Sequence, residues 1–502
     1  MAGQSLKSTF SREEYSLPVA TNPINLGKSG LSNKSPKPKG ASSSHKWTLF
    51  VVLFVALLSG GLGAGLAFVL SSRPFQQRQL SADEAAVFNR NSDDMTSAIA
   101  GIPTLTRPVN ILVLGTIMLT SDLPDAQSKP KGKYLAEVDD NLNGMSDAML
   151  LIRFDPATQK VAVLSIPRDS RVNIQGVGKT KINFANYAGG ASLSAQTVSQ
   201  VLGDIPIDRY IRFNVSGFGK LIDALGGVDV YVPKKMKYQD DSQRLYINLN
   251  AGQQKLNGSK AIQYMRYRHD DLGDIGRVQR QQSFFRAFID QKLKPESITK
   301  FPEILAIVKD NIDTNLSVEE VLALAGYTSK IDRKSIQMHM APGRFSNAGE
   351  FDNLSYWILD NRRLAKIMNQ SFGVMKQADE NVVDNSNSLE SLRVAIQDSL
   401  SQPEGSKKAT TVLSKSGYAQ VFPASNRWTK PLAKTQIVAQ NGDRESAERL
   451  RDALGLGEVL IESTGDIESD ITVRVGKDWL QANNIPFKPA VPAKPTPKTS
   501  AN

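Results

Sequence analysis

The chain has 502 residues, 40% hydrophobic and 22% charged, which is typical of a globular protein with room for two or three domains. It contains no cysteine, which excludes disulfides, thiolate metal sites and a cysteine nucleophile. With only three histidines, a multi-histidine metal site or a histidine-based triad is not expected, whereas the net charge of +11 would allow a nucleic-acid ligand.

An uncharged stretch of 26 residues, Trp47–Ser72, follows a polar leader at 1–46. A membrane-spanning helix needs roughly 20 apolar residues, and the long polar leader argues against a cleaved signal peptide. The leader carries seven Lys and Arg against two Glu, so the positive-inside rule places it in the cytoplasm. We expect a disordered cytoplasmic tail at 1–46, a single-pass signal anchor at 47–72 in the cell membrane, extracytoplasmic domains after it, and no nucleic-acid partner.

The next segment begins with a predicted linker at 73–107 and continues into strands. The apolar run Val109–Gly115 predicts a buried strand. Two more runs, Ala148–Phe154 and Val161–Ile166, flank an Asp-Pro turn and predict a β-hairpin.

Helical and strand patterns alternate through the rest of the chain, which predicts an α/β protein. Helices are expected at 192–203, 217–227, 259–265, 276–293 and 317–327, and a strand at 228–233. A polar linker at 373–407 then precedes a strand–helix–strand unit, a small α/β domain at 408–482. A Pro-rich tail at 483–502 is expected to be extended.

The second strand of the hairpin ends in LSIPRDS, where Pro167 precedes Arg168 and Asp169. Since the turn is centred near 157–158, the beginning of the first strand lies opposite the end of the second. Asp147 is therefore expected close to Arg168 and Asp169. For an isolated Arg-Asp pair, a solvated turn would be the simpler interpretation.

Further polar residues follow at spacings that place them on shared faces: Lys181, Arg266, Arg268, Arg277 and Gln281. Arg266 and Arg268 share a face if their segment is extended, and Arg277 and Gln281 are four apart on a helix. Guanidinium groups bind phosphate through paired hydrogen bonds, and carboxylates suit Mg²⁺ that bridges to phosphate oxygens. The pattern therefore favours a diphosphate ligand, with helix-surface ion pairs as the alternative, above all for Arg280.

Five segments in this order resemble the LytR-CpsA-Psr family of cell-wall glycopolymer ligases over 108–372: SDAMLLIRFD, VLSIPRDSRV, KINFANYAGG, LIDALGGVDVYVP and LNGSKAIQYMRYRHDDLGDIGRVQRQQ. The unit at 408–482 is similar to the LytR-type C-terminal domain that often accompanies these enzymes. The resemblance implies a central mixed β-sheet flanked by helices, with an apolar tunnel for a lipid tail. It also implies a Mg²⁺-dependent, membrane-anchored phosphotransferase that moves a glycopolymer from a polyprenyl-diphosphate carrier onto peptidoglycan.

The resemblance also implies roles for individual residues. Asp169 would help hold Mg²⁺, with Asp147 and Asp274 as further candidates, and Asp169 or Asp147 would orient the acceptor hydroxyl or take its proton beside Arg168. Thr180 stands where many members carry an aspartate that shares the metal. The residues expected to bind the diphosphate are Arg168, Lys181, Arg266, Arg268, Arg277 and Gln281.

Other functions are compatible with the same residues. A protein that binds polyprenyl phosphate or acts as a scaffold without turnover is one alternative, and a polyprenyl-diphosphate phosphatase is another. A transcription regulator is disfavoured, since only the polar leader is expected in the cytoplasm and it shows no recognition helix. The C-terminal unit is either a structural cap or spacer, or a surface that binds the wall or a partner.

Overall fold

The structure is a computed structural model of the chain. The leader at 1–46 and the expected anchor at 47–72 lie outside the described residues. In the part of the chain that is described, no helix has the length and apolarity required to cross a membrane. The described residues are 73–89, 94–97, 103–116, 142–241, 245–268, 273–292, 304, 309–332, 335–347, 349–351, 354–374, 389–424, 428, 430–440 and 442–487.

The strands of the described residues are β1 (Thr96–Ser97), β2 (Thr104–Leu105), β3 (Val109–Thr116), β4 (Ser146–Asp155), β5 (Lys160–Ser165), β6 (Arg171–Ile174), β7 (Gly178–Lys181), β8 (Arg209–Asn214), β9 (Val228–Val232), β10 (Met236–Asp240), β11 (Leu245–Leu249), β12 (Gly252–Leu256), β13 (Ile312–Thr314), β14 (Ile336–Met340), β15 (Gly343–Phe345), β16 (Trp357–Leu359), β17 (Arg393–Asp398), β18 (Gln420–Pro423), β19 (Gln436–Ala439), β20 (Glu458–Ile461) and β21 (Ile471–Val475). The helices are α1 (Ala82–Ala86), α2 (Phe184–Val201), α3 (Val215–Ala224), α4 (Gly258–Arg266), α5 (Gly273–Lys292), α6 (Val318–Thr328), α7 (Asn361–Phe372), α8 (Pro403–Lys415), α9 (Arg444–Leu454) and α10 (Lys477–Ala482).

The first domain is built on a six-stranded sheet in the order β13-β8-β3-β4-β5-β14. β3 pairs antiparallel with β4 and parallel with β8, so the sheet is mixed. Its central strands are continuous apolar runs because both faces are covered. Leu112 and Leu114 of β3 pack with residues of α2 and α7, whereas Ile111 and Val113 pack with residues of α5 and α6. The expected mixed sheet flanked by helices is confirmed.

The predicted hairpin is present as β4 and β5, paired from Leu150 opposite Ser165 to Asp155 opposite Lys160. The Asp155 carboxylate accepts hydrogen bonds from the backbone N–H groups of Ala157 and Thr158, at 3.1 and 3.2 Å. This is the local bonding by which an aspartate stabilises a turn.

The expected linker at 73–107 contributes to the first domain. Phe88 is buried in its core, and its ring lies 5.1 Å from that of Tyr210. Met95 and Leu105 are buried on the other face of the sheet. The sequence did not predict this packing because short segments carry too few residues to show a period.

The second domain contains a five-stranded sheet in the order β18-β17-β21-β19-β20. Its beginning differs from the expected boundary at 408, since β17 at Arg393–Asp398 pairs with both β18 and β21. β17 and the first turn of α8 therefore belong to the domain and not to a linker. The sequence missed them because one short strand beside a polar stretch gives a weak periodic signal.

Candidate active site

The turn after β5 is fixed by its backbone. Proline has no N–H with which to continue the strand pairing, and the backbone N–H and hydroxyl of Ser170 both donate to the carbonyl of Pro167, at 3.0 and 2.7 Å. The carbonyl of Asp169 accepts from the Trp357 N–H at 2.9 Å, and that of Arg168 accepts from the Asn183 N–H at 3.3 Å. Arg168 and Asp169 are therefore presented from a tightly held segment.

The side chains of this turn form a charged cluster with residues of two strands. Arg168 Nη1 lies 2.7 Å from Asp147 Oδ1 of β4, and Arg168 Nε lies 3.5 Å from Asp169 Oδ2. Lys181 Nζ of β7 lies 2.7 Å from Asp169 Oδ1. Since these carboxylate and arginine side chains are less than a fifth exposed, their interactions are less screened by solvent than those of a surface pair.

An apolar cavity of about 740 Å³, partly open to solvent, lies on the face of the sheet that packs against α5. The stacked rings of Phe213 and Phe218, with centroids 6.0 Å apart, form part of the wall. The remaining apolar lining comprises Gly115, Ala148, Val215, Leu245, Ile262, Met265 and Phe285.

The polar lining of this cavity includes most of the cations predicted from the sequence: Arg266, Arg268 and Arg277, together with Gln281, Asp147, Thr116 and Asn214. A second cavity of about 460 Å³ contains Arg168 and Asp169 and shares Asp147, Arg277 and Gln281 with the first. The shared residues stand between an apolar cavity and the charged cluster of the β5 turn. An amphiphile with an anionic head would match this arrangement.

Helix α5 places Arg277 and Gln281 one turn apart on the same side, as their spacing predicted. Arg280 on the same helix has a different role. It is 7% exposed, its guanidinium donates to the carbonyl of Tyr267, and it lies 5.4 Å from the centroid of the Tyr267 ring. Arg280 therefore ties α5 to the segment that carries Arg266 and Arg268, and its side chain is buried, not on the helix surface where the alternative placed it.

Two other expectations differ in detail. Arg266 is the last residue of α4 and not part of an extended segment, although Arg266 and Arg268 still line the same cavity. The side chain of Asp274, in the first turn of α5, lies outside the described residues. Lys181 belongs to the charged cluster because it contacts Asp169, and it does not line the apolar cavity.

The residues available for Mg²⁺ are two carboxylates. Among the described side chains, no group of three or more His, Asp or Glu is arranged to hold a metal. Asp147 and Asp169 flank Arg168, and Mg²⁺ commonly takes only one or two carboxylates, with water and substrate phosphate oxygens as its other ligands. The donor set fits Mg²⁺ if a diphosphate supplies further oxygens. Thr180 pairs with Val172 in the β6–β7 hairpin and, by strand alternation, faces away from Lys181.

Sequence reasoning missed the aromatic wall of the second cavity. Phe345 of β15 and Trp357 of β16 line it, with ring centroids 5.2 Å apart in an edge-to-face arrangement. Phe345 is 41% exposed, and Trp357 donates from Nε1 to the carbonyl of Ala341 at 3.1 Å. These residues are far from the PRD motif in sequence, and no period or charge pattern indicated them.

Two family models match parts of this chain. The model of the LytR_cpsA_psr family matches residues 75–373, and that described as LytR cell envelope-related transcriptional attenuator matches 391–479. The second match begins close to β17, as the sheet pairing requires.

Curated relatives include the polyisoprenyl-teichoic acid–peptidoglycan teichoic acid transferase TagV of Bacillus subtilis, 36% identical over 43% of this chain and 59% of its own length. Biofilm regulatory protein A of Streptococcus mutans is 31% identical over 48% and 61% of the respective lengths. TagU of Oceanobacillus iheyensis, named as the same kind of transferase, is 35% identical over 47% and 72%. The chain thus spans about three fifths of the first two relatives.

Solved structures with similarity to the chain include B. subtilis TagV, with 30% identity, a TM-score of 0.44, and coverage of 54% of this chain and 99% of that one. A structure described as TagT bound to LI-WTA has 25% identity, a TM-score of 0.40, and coverage of 53% and 89%.

Proposed function

Because this chain belongs to the LytR_cpsA_psr family, we propose that it is a phosphotransferase that moves a glycopolymer from a polyprenyl-diphosphate carrier onto peptidoglycan. Relatives named as polyisoprenyl-teichoic acid–peptidoglycan teichoic acid transferases support this proposal. The observation that carries it is the apolar cavity whose polar lining contains Arg266, Arg268, Arg277 and Gln281.

The donor would bind by its two unlike ends. Burial of an isoprenoid in the apolar cavity contributes about 0.8 kcal/mol per CH₂ group removed from water. The diphosphate would lie against the arginines, which keep their charge at every physiological pH and bind phosphate oxygens through paired hydrogen bonds. Gln281 would add a neutral hydrogen-bond donor at the same position.

The chemical step is a displacement at the sugar-proximal phosphorus. The acceptor hydroxyl oxygen forms a new bond to phosphorus, the bond from phosphorus to the bridging oxygen breaks, and polyprenyl phosphate leaves. Asp147, which borders both cavities, is the first candidate to take the hydroxyl proton, and Asp169 is the second. The arginines, including Arg168, neutralise negative charge on the transferred and leaving phosphates.

Asp169 and Asp147 are the residues that would hold a Mg²⁺ ion used in the reaction. The ion would supply additional positive charge to the diphosphate oxygens. The protein's own contribution is the fixed turn that presents these carboxylates beside Arg168.

The proposal places the reaction outside the cell membrane. The uncharged run at 47–72 would anchor the chain, and the positive leader at 1–46 would remain in the cytoplasm. Both domains would then face the compartment that contains peptidoglycan. This orientation also gives the lipid carrier direct access from the bilayer.

The deciding experiment measures transfer of labelled glycan from its polyprenyl-diphosphate carrier to peptidoglycan by the purified full-length protein. Arg266→Ala and Asp147→Asn are expected to abolish transfer while the far-UV circular dichroism and the melting temperature remain close to those of the parent. Transfer at the parental rate by both folded variants would contradict the site assignment.

A second candidate is a protein that binds polyprenyl phosphate or diphosphate without transfer. Both carboxylates of the candidate metal site are engaged by Arg168 and Lys181, and Thr180 is neutral, which favours this candidate. Mass spectrometry of lipid that co-purifies with the protein, combined with the transfer assay, separates the two: lipid without transfer under any Mg²⁺ concentration supports binding alone. Release of phosphate from the lipid diphosphate into water would instead identify a phosphatase.

A further inference from the structure

The six-stranded and the five-stranded β-sheets meet at their edges. β14 is the last strand of the six-stranded sheet and β20 is the last strand of the five-stranded sheet. Met338 of β14 forms a parallel bridge with Glu462, directly after β20, and the Met340 N–H donates to the Ser463 hydroxyl at 2.8 Å. The second domain therefore covers a strand edge that would otherwise expose N–H and C=O groups.

The same part of the second domain also contacts α5, the helix that carries Arg277 and Gln281. Arg286 Nη2 lies 2.9 Å from Glu462 Oε1, with both side chains less than a tenth exposed. Gln279 Nε2 donates to the carbonyl of Gly465 at 2.9 Å. The contacts of α5 with the second domain are thus interleaved along the helix with the residues that line the two cavities.

The contact segment of the second domain is held by that domain's own core. Glu462 Oε2 accepts from the Thr464 hydroxyl at 3.0 Å, and the carbonyl of Thr464 accepts from Arg474 Nη2 at 2.6 Å. Arg474 is 1% exposed, and its guanidinium lies 3.6 Å from the centroid of the Trp428 ring. Glu462 is therefore connected, through Thr464, to a fully buried arginine.

The position of Gly465 is equally constrained. A Cβ at this residue would collide with the side chain of Thr472, so the carbonyl that Gln279 contacts is fixed by close packing. Because the contact segment of the second domain is itself held rigidly, it can hold α5 in a fixed position.

We propose that the C-terminal domain is a positioning part of the active site, which holds α5 through Glu462 and Gly465 so that Arg277 and Gln281 stay between the two cavities. Arg286 and Gln279 are the positioning residues on the helix. Because a displacement of about 1 Å in a group that binds the reacting phosphate can reduce a rate about 10²-fold, this support bears directly on catalysis. The catalytic part of the inference rests on the proposed function, whereas the mechanical part does not.

The test compares Glu462→Gln and Gln279→Ala with a matched control, Lys366→Ala, in the full-length protein. Lys366 of α7 lies 3.7 Å from Asp443 of the second domain, so the control removes an interaction between the same two domains that does not involve α5. Gln279 is neutral, so Gln279→Ala does not leave a buried charged group unpaired. If Glu462→Gln does not fold, Gln279→Ala alone tests the proposal.

The first readout is amide hydrogen exchange of α5, which needs no substrate. Exchange in the segment 277–286 is expected to be at least fivefold faster in Glu462→Gln and Gln279→Ala, and unchanged within twofold in Lys366→Ala. Parental exchange rates in both folded variants would overturn the proposal. If the two variants exchange faster but the parent protein itself transfers no glycan, the result supports the bracing of α5 and rejects the proposed function.

The second readout separates positioning from general loss of structure. Both α5 variants are expected to lower kcat/KM for the lipid-linked donor about 10-fold and to leave the KM for the peptidoglycan acceptor within twofold of the parent. Glu462→Asp, which keeps the charge, is expected to recover part of this loss. Equal increases in both KM values would indicate a merely structural role and overturn the assignment.

Discussion

Arg168 donates a 2.7 Å hydrogen bond from Nη1 to Asp147 Oδ1, which joins the end of β5 to the beginning of β4. The contact places a guanidinium and a carboxylate at one corner of the sheet, where Asp147 also borders the apolar cavity. The hairpin register, with Leu150 opposite Ser165, puts Asp147 and Arg168 at opposing positions three residues beyond this pair.

The Asp147–Arg168 pair is expected to be essential for transfer. Asp147→Asn removes the candidate base and the charge that orients Arg168, so kcat should fall about 10²- to 10⁴-fold. Asp229→Asn, a neutralised aspartate on the exposed side of β9, serves as the control and should retain parental kcat. The measurement is the initial rate of glycan transfer, and a parental rate in Asp147→Asn would exclude this carboxylate as the base.

The apolar cavity is expected to determine the preference for long isoprenoids. Ile262→Trp adds bulk to its wall, so the KM for a long-chain donor should rise at least about 10-fold and that for a short-chain analogue much less. Ile467→Trp makes the same replacement at a position that is 43% exposed in the second domain and should change neither KM. Equal effects of Ile262→Trp on both donors would show that the tail binds elsewhere.

Removal of divalent metal is expected to stop transfer. A chelator should abolish activity, added Mg²⁺ should restore it, and Asp169→Asn should raise the half-maximal Mg²⁺ concentration about 10-fold because one charged ligand is lost. Titration of the rate with Mg²⁺ provides the measurement. Full activity in the chelator would reject the metal requirement and leave the arginines as the sole charge neutralisers.

Arg280 is expected to contribute to stability and to donor binding without touching the donor. Arg280→Met leaves the Tyr267 carbonyl without its charged donor in a buried position, so the free energy of unfolding should fall by about 1–3 kcal/mol. Arg344→Met, which removes an exposed pair with Glu350, should lower it much less, because solvent screens that pair. Denaturant unfolding of both variants measures the difference, and equal losses would contradict a buried role.

His339 is expected to make the fold sensitive to mild acid. It is fully buried, burial lowers its pKa from 6.5 to about 4, and its two ring nitrogens have no hydrogen-bond partner among the described residues. Because the unfolded histidine binds a proton more readily, this residue's contribution to stability is lost as pH falls from 6.5 towards 4.

Between pH 6.5 and 4.5 the His339 contribution to the free energy of unfolding should fall by about 2 kcal/mol in the parent. His339→Leu removes this pH-dependent contribution. Denaturant unfolding of both proteins at the two pH values gives the comparison. Carboxylates titrate in both, so the difference between parent and variant isolates the histidine. If the pH dependence is the same in both, His339 is not the group responsible.

The sequence determined the local elements and the chemistry of the site. The Asp-Pro turn predicted the β4–β5 hairpin, the hairpin register placed Asp147 beside Arg168, and the four-residue spacing placed Arg277 and Gln281 on one side of α5. These inferences succeeded because they depend on strand alternation, helical period and turn chemistry, which act over a few residues.

Only the tertiary structure decided what distant segments do together. Phe345 and Trp357 beside the PRD turn, the tie from Arg280 to Tyr267, and the contact of Glu462 with Arg286 each join segments that no local pattern connects. β17 likewise is recognised as a strand only through its pairing with β18 on one side and β21 on the other. Long-range contacts of this kind result from packing of whole faces and edges, and packing depends on three-dimensional shape, which periodicity along one chain does not specify.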